Sequence, residues 1–164
     1  MIFEKEKIRI VEATEEDILG ILEVYNSNQD FLLSHMGRSE VSVKWLEKEQ
    51  QEMKEMKFKT LIVKENTHDT IIGFIDLCLK EECYLSLLMV HKSYRGKGYG
   101  KVIYEKLENY LINEDSKTIR IDVAYDYNKE VLGSWEDRGF KKIDKTQLQW
   151  SNTILNAIVM KKNL

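Results

Sequence analysis

The stretch Leu87–Leu111, LLMVHKSYRGKGYGKVIYEKLENYL, decides how the chain folds and what it can bind. Its first four residues, Leu87 to Val90, are apolar, and they give way through a short polar turn to a glycine-spaced basic loop from Arg95 to Lys101. Beyond the loop Ile103, Leu107, Tyr110 and Leu111 recur at helical spacing, while Glu105, Lys106 and Glu108 take the opposite face. The pattern is strand, loop, helix. Gly96, Gly98 and Gly100 remove the β-carbons that would hold a ligand off the backbone, so successive N–H groups at the helix N-terminus can point at one anion. The positive end of the helix dipole and the side chains of Arg95, Lys97 and Lys101 act in the same direction. The implied ligand carries phosphates.

The spacing excludes two phosphate-binding motifs. A P-loop needs a glycine–lysine pair followed by Ser or Thr, which is absent here, and a dinucleotide fingerprint needs a third glycine where Lys101 stands. The stretch instead resembles the acyl-coenzyme A signature of the GNAT N-acetyltransferase superfamily, Arg/Gln-x-x-Gly-x-Gly/Ala, met by Arg95, Gly98 and Gly100. Val90 and Tyr94 also sit where many members carry Val and Tyr, and Lys92 replaces a common proline. Further on, Asn128–Phe140, NKEVLGSWEDRGF, resembles the second signature of that superfamily through Asn128, Val131, Gly139 and Phe140. Trp135 stands where many members have tyrosine.

The rest of the chain supplies the context such motifs need. With 164 residues the sequence suits one domain over residues 1–164. Hydrophobic residues make up 43% and charged residues 32%, ordinary for a globular protein, and a net charge of -3 leaves no footprint for nucleic acid or an anionic membrane. The opening is charged and alternating, without an apolar leader, and no long apolar run follows, so a cytoplasmic location is expected. Cys78 and Cys83 are too few and too oddly spaced for a zinc site or a disulfide framework; they read as core thiols, and no metal is expected.

Ile8, Ile10 and Ala13 alternate as in a half-buried strand, and Thr14 with Asp17 opens a helix whose apolar face is Ile18, Ile21, Leu22 and Tyr25. Asn26 to Asp30 ends it. Phe31–Arg38 shows neither strand nor helix period and is expected to be a loop over a pocket, with His35 in it. Val43–Met56 reads as an exposed helix, Thr60–Val63 and Thr70–Leu79 as strands of a hairpin, and Gly73 as a bulge or a close backbone approach. Tyr84–Val90 and Thr118–Ala124 are further strands, Asn128–Phe140 contains a helix stopped by Gly139, and a closing hairpin turns around Trp150–Asn152.

This order resembles the GNAT fold over nearly the whole chain. The resemblance implies an α/β (α+β) architecture: a mixed, mostly antiparallel sheet of about seven strands with about four helices, splayed between strands 4 and 5. It also implies that the gap receives the pantetheine arm of acetyl-coenzyme A as an added strand would be received. Carried over by residue, Leu88, Met89 and Val90 offer backbone groups to the arm. Arg95, Gly96, Lys97, Gly98, Tyr99, Gly100 and Lys101 hold the pyrophosphate. Asn128 lies beside the pantetheine or its thioester, and Trp135 lines the same cleft.

The implied function is acetyl transfer from acetyl-coenzyme A to a primary amine of a small molecule, peptide or protein, by direct attack on the thioester. A strand amide near Leu88 would stabilise the oxyanion. Glu82, at the start of the motif strand, is the first candidate for the base, ahead of Glu81 and Asp122. An indole cannot protonate a thiolate, so with Trp135 in the tyrosine position the acid falls to Tyr127, Tyr104 or water. The alternative is a domain that binds acyl-coenzyme A as a sensor without turnover, which Trp135 favours. Partners are then acetyl-coenzyme A and an amine acceptor, with no nucleic acid and no membrane, in a monomer or homodimer.

Overall fold

A computed structural model describes residues 7–126, 130–150 and 152–164. In chain order the elements are β1 (Ile8–Glu12), α1 (Ile18–Ser27), α2 (Gln29–Met36), α3 (Val43–Glu55), β2 (Lys59–Glu65), β3 (Thr70–Cys78), β4 (Glu82–Val90), α4 (Tyr99–Asn113), β5 (Thr118–Ala124), α5 (Glu130–Asp137), β6 (Lys141–Trp150) and β7 (Thr153–Asn163). The strands form one seven-stranded sheet in the order β1-β2-β3-β4-β5-β7-β6. Every neighbouring pair is antiparallel except β4 and β5. This mixed sheet flanked by helices is the architecture that the sequence predicts.

The parallel pair is short. Glu82–Tyr84 of β4 align with Thr118–Arg120 of β5, and there the pairing stops. From Leu85 to Val90 the strand β4 bonds only to β3, so a gap opens between β4 and β5. Just at the parting, Asp76 pairs with Leu87 and Leu77 with Leu85, which leaves Ser86 as the extra residue of a β-bulge. The bulge shifts the alternation of side chains: Cys83 and Leu85 face the same core as α4, whereas Leu87 and Met89 pack with the core under α1 to α3.

Those two cores lie on opposite faces of the sheet. On one, Ile103, Leu107 and Leu111 of α4, all fully buried, pack on Leu61, Ile75 and Ile119. On the other, Ile21, Val24, Leu32 and Leu46 cover Ile62 and Phe74. Cys78 and Cys83 are buried free thiols, as their spacing suggests. Gly73 fulfils both expectations for it. The β2–β3 register shifts beside it, between Val63 and Lys64, and a β-carbon there would lie 2.7 Å from the Met89 carbonyl oxygen.

One expectation is corrected. Phe31–Arg38 is not a loop: most of it belongs to α2, which buries Leu32, His35 and Met36 and ends at Gly37, whose φ of 71° and N–H to the Leu33 carbonyl close the last turn. Two turns are too short for a helical period to show, and this element raises the expected four helices to five among the described residues. No helix among the described residues is long and apolar enough to cross a membrane.

Candidate active site

The glycine-spaced basic loop takes the conformation its spacing demands. After β4 a single tight turn, Lys92–Tyr94, leads into Arg95, and Gly96 and Gly98 take φ of 73° and 85°, a region where a β-carbon would be strained. Gly98 is the N-cap of α4, so the first N–H groups of that helix open towards the loop. Arg95, Gly96, Lys97, Gly98 and Lys101 are exposed, and Gly100 is half-buried. Tyr99 is buried with its ring edge-on to Tyr94 at 5.4 Å, so what it can offer a phosphate is its backbone.

Arg95 is anchored by a residue that the sequence reading passed over. Asn28, between α1 and α2, is 3% exposed; its Oδ1 accepts from Arg95 Nη1 at 2.6 Å, and its Nδ2 donates to the Val90 carbonyl at 3.0 Å and the Val24 carbonyl at 2.9 Å. One side chain thus ties the end of β4, the basic loop and the α1–α2 junction together. An asparagine that ends a helix gives no local sign of this, because its contacts to Arg95 and Val90 are made across the fold.

Three adjoining cavities follow β4. The first, about 550 Å³, runs from Arg95 and Asn28 along Leu87–Val90. The second, about 250 Å³, is the gap itself, between Leu85–Leu88 of β4 and Ile121–Ala124 of β5, and it shares Phe31, Leu87 and Leu88 with the first. The third, about 460 Å³, lies under α3 and shares Ser86, Asp122, Leu148 and Trp150 with the gap. A ligand long enough to start at the basic loop would run along β4 and end at this third chamber. Leu88, Met89 and Val90 point their side chains into the two cores, which leaves their backbone as the part presented along the strand edge.

Trp135 lines the gap, edge-on to Phe140 at 5.3 Å and to Tyr104 at 5.8 Å, with the Arg138 guanidinium 5.3 Å from its ring centre. Tyr104 lines another cavity, with Lys101 and Lys162, and burial raises its phenol far above the ordinary value. Tyr127 and Asn128 lie outside the described residues. His35 is stacked on Phe31 at 3.9 Å and edge-on to Trp150 at 5.7 Å, and burial pushes its pKa down to about 4, so it is a neutral wall of the gap at ordinary pH.

The carboxylates separate by position. Glu82 lies where β4 and β5 are paired, not where they part, and lines none of the three cavities. Lys161 Nζ at 2.9 Å and the Thr118 hydroxyl at 3.1 Å hold its carboxylate below the usual range. Asp122 lines both the gap and the third chamber but is engaged by Arg120 at 3.0 Å and by the Tyr84 hydroxyl at 3.1 Å.

Asp76 differs from both. It faces the third chamber from β3, directly across from Leu87 at the bulge, and is 5% exposed. Burial pushes its pKa up to about 7, with the nearby Glu49 adding to the rise, although the Thr60 hydroxyl at 2.7 Å from Oδ1 acts the other way. A carboxylate poised near neutrality in a chamber that adjoins a strand gap is the kind of group that accepts a proton during reaction. Its sequence signal was a lone acid in the otherwise apolar run TIIGFIDLC.

Residues 14–140 match the model of the acetyltransferase (GNAT) family. No curated protein matches the chain by sequence. Among solved structures, an acetyltransferase from Thermus thermophilus superposes with a TM-score of 0.78 at 15% identity, covering 96% of this chain and 97% of that one. A spermidine N-acetyltransferase from Vibrio cholerae, in complex with CoA and spermine, gives 0.75 at 14% identity, covering 96% of each chain. A ribosomal-protein-alanine N-acetyltransferase from Brucella melitensis gives 0.71 at 17% identity, covering 95% of this chain and 99% of that one. At such identities the likeness is one of fold.

Proposed function

The chain belongs to the acetyltransferase (GNAT) family, and we propose that it moves an acetyl group from acetyl-coenzyme A to a primary amine by direct attack on the thioester. The observation that carries this reading is the gap between β4 and β5, which begins beside the basic loop and ends at a chamber holding a near-neutral carboxylate. The similar Vibrio protein holds CoA, which supports the same ligand here, while spermidine and ribosomal-protein alanine name different acceptors among similar folds.

In this reading Arg95 to Lys101 bind the pyrophosphate, and the β4 backbone at Leu88 to Val90 receives the pantetheine arm as a neighbouring strand would be received. The amine enters from the third chamber. As its nitrogen bonds to the carbonyl carbon, a β4 amide near Leu88 stabilises the oxyanion, an effect worth about 3 kcal/mol in comparable sites. The C–S bond then breaks and coenzyme A leaves as a thiolate. Asp76 takes the amine's proton, directly or through water; it suits that role better than Glu82, whose carboxylate is already ion-paired at the closed end of the strands. Asn128 is assigned beside the pantetheine, and Tyr127 or water protonates the thiolate. Holding both reactants in one groove supplies the remainder of the acceleration.

Trp135 in the tyrosine position supports a second reading, a sensor that binds acyl-coenzyme A without turnover. Thiol release from acetyl-coenzyme A across a panel of amines separates the two. Acceptor-dependent release is expected; calorimetric binding of acetyl-coenzyme A with no release for any amine would favour the sensor.

A further inference from the structure

The chamber beyond the gap carries an uncompensated charge. Asp76 and Asp122 rise from the sheet, Glu49 and Glu52 descend from α3, and no lysine, arginine or histidine is among the described residues that line it. Two of these acids are answered: Asp122 by Arg120 at 3.0 Å, and Glu52 by Lys48 at 4.0 Å. Asp76 and Glu49 have no ion pair among the described residues, although Lys48, already paired with Glu52, also acts on Glu49. The hydrogen bond that Asp76 receives there goes to Oδ1 from Thr60, which leaves Oδ2 of a deeply buried side chain without a donor among the described residues. Each carboxylate sits in a partly dry site, and the Glu49 charge reaches Asp76. Such an arrangement is stabilised by a cation placed between them.

The walls specify what kind of cation. Trp45, Tyr25 and Trp150 line it with aromatic rings, Tyr25 standing edge-on to Trp45 at 5.6 Å and the Arg38 guanidinium 5.5 Å from the Trp45 ring centre, while Met53 and Phe58 supply apolar surface. Rings attract an ammonium through their quadrupole, and thioethers and rings pack well on methylene chains. A carboxylate-bearing acceptor, such as a free amino acid, would bring a further negative charge to Asp76 and Glu49.

Resting on the acetyltransferase reading above, we infer that the acceptor is a small aliphatic amine with a second ammonium group, a diamine or polyamine. Its reacting nitrogen faces Asp76 in the chamber and its second ammonium sits at Glu49. The need for a second charge follows from the reaction itself. Once Asp76 has taken the proton of the attacking amine it is neutral, and Glu49 keeps only Lys48, which it shares with Glu52; a monoamine brings no further cation to this half-buried site.

The test uses three chains of matched length: terminal diaminobutane, butylamine and terminal aminobutanoate. Each is assayed for thiol release from acetyl-coenzyme A, and each is titrated calorimetrically into protein saturated with free coenzyme A. The diamine is expected to exceed the monoamine at least tenfold in kcat/KM and in affinity, with the amino acid weakest. Glu49→Gln, with its fold checked by a melting curve, is expected to bring the diamine down to the monoamine. Equal use of diamine and monoamine, or a diamine preference that survives in Glu49→Gln, overturns the inference. A diamine that binds with this Glu49 dependence yet releases no thiol upholds the inference and overturns the catalytic reading. Release with no preference for the diamine does the reverse.

Discussion

Asp76 joins two properties that pull against each other. Its burial disfavours the charge, and the proposed chemistry needs that charge. With a folded pKa raised to about 7, the base is about half ionised at neutrality, so kcat/KM is expected to rise through pH 7. Asp76→Asn should lower kcat by about a hundredfold and remove that inflection, while calorimetric binding of acetyl-coenzyme A stays intact. Stability gives a second readout. An unfolded aspartate titrates at about 4, so between about 4 and 7 the native state binds more protons than the unfolded chain, and stability falls as pH rises. Melting temperatures of the wild type should drop across that window, and those of Asp76→Asn should drop less.

Asn28 is the second residue whose role comes from tertiary structure. It holds Arg95 and the end of β4 in one register, so Asn28→Ala should free the guanidinium and weaken acetyl-coenzyme A binding by roughly tenfold, about 1.4 kcal/mol, in calorimetry. Unchanged affinity in Asn28→Ala would show that Arg95 reaches the phosphates without this tether. The conservative Asn28→Gln, which keeps the donor and the acceptor, should recover part of the loss.

Among the elements, β3 and β4 set the shape of the site. Gly73 lets the two strands approach so closely that an added methyl group would meet the Met89 carbonyl at 2.7 Å, and backbone cannot rotate away as a side chain can. Gly73→Ala should therefore displace β4 where it faces the ligand, raising KM for acetyl-coenzyme A several-fold and lowering stability by about 1–3 kcal/mol in urea unfolding. The strands and helices were legible in the sequence where their pattern is local. Thr118–Ala124 alternates strictly and has the predicted bounds, and the Leu87–Leu111 stretch forms strand, loop and helix as its spacing requires. The element α2 was not, because two turns that bury Leu32, His35 and Met36 owe their helix to packing rather than to a repeating pattern.

At the scale of the whole molecule, one sheet serves two cores, and a helix on one face supports a site on the other. Leu107 of α4, fully buried, packs in the core that backs β4 and β5, so Leu107→Ala should cost about 2–5 kcal/mol by denaturant unfolding while leaving the chamber under α3 unaltered in residual activity per folded molecule. The general architecture was readable because glycine spacing and apolar period report on neighbours in sequence. The acidic lining of the chamber under α3 was not. Asp76, Glu49 and Asp122 come from three separate elements, and their meeting depends on how α3 lies over the sheet.

The parting of β4 from β5 has a consequence for handling the protein. From Leu85 onward one flank of β4 has no sheet partner, which makes it a template for any extended segment, including one from a second molecule. Concentrated ligand-free samples should slowly turn cloudy by this strand-on-strand adhesion. Coenzyme A, by occupying the open flank, should keep them clear, and turbidity followed over days in its presence and absence measures how well the ligand protects the solution.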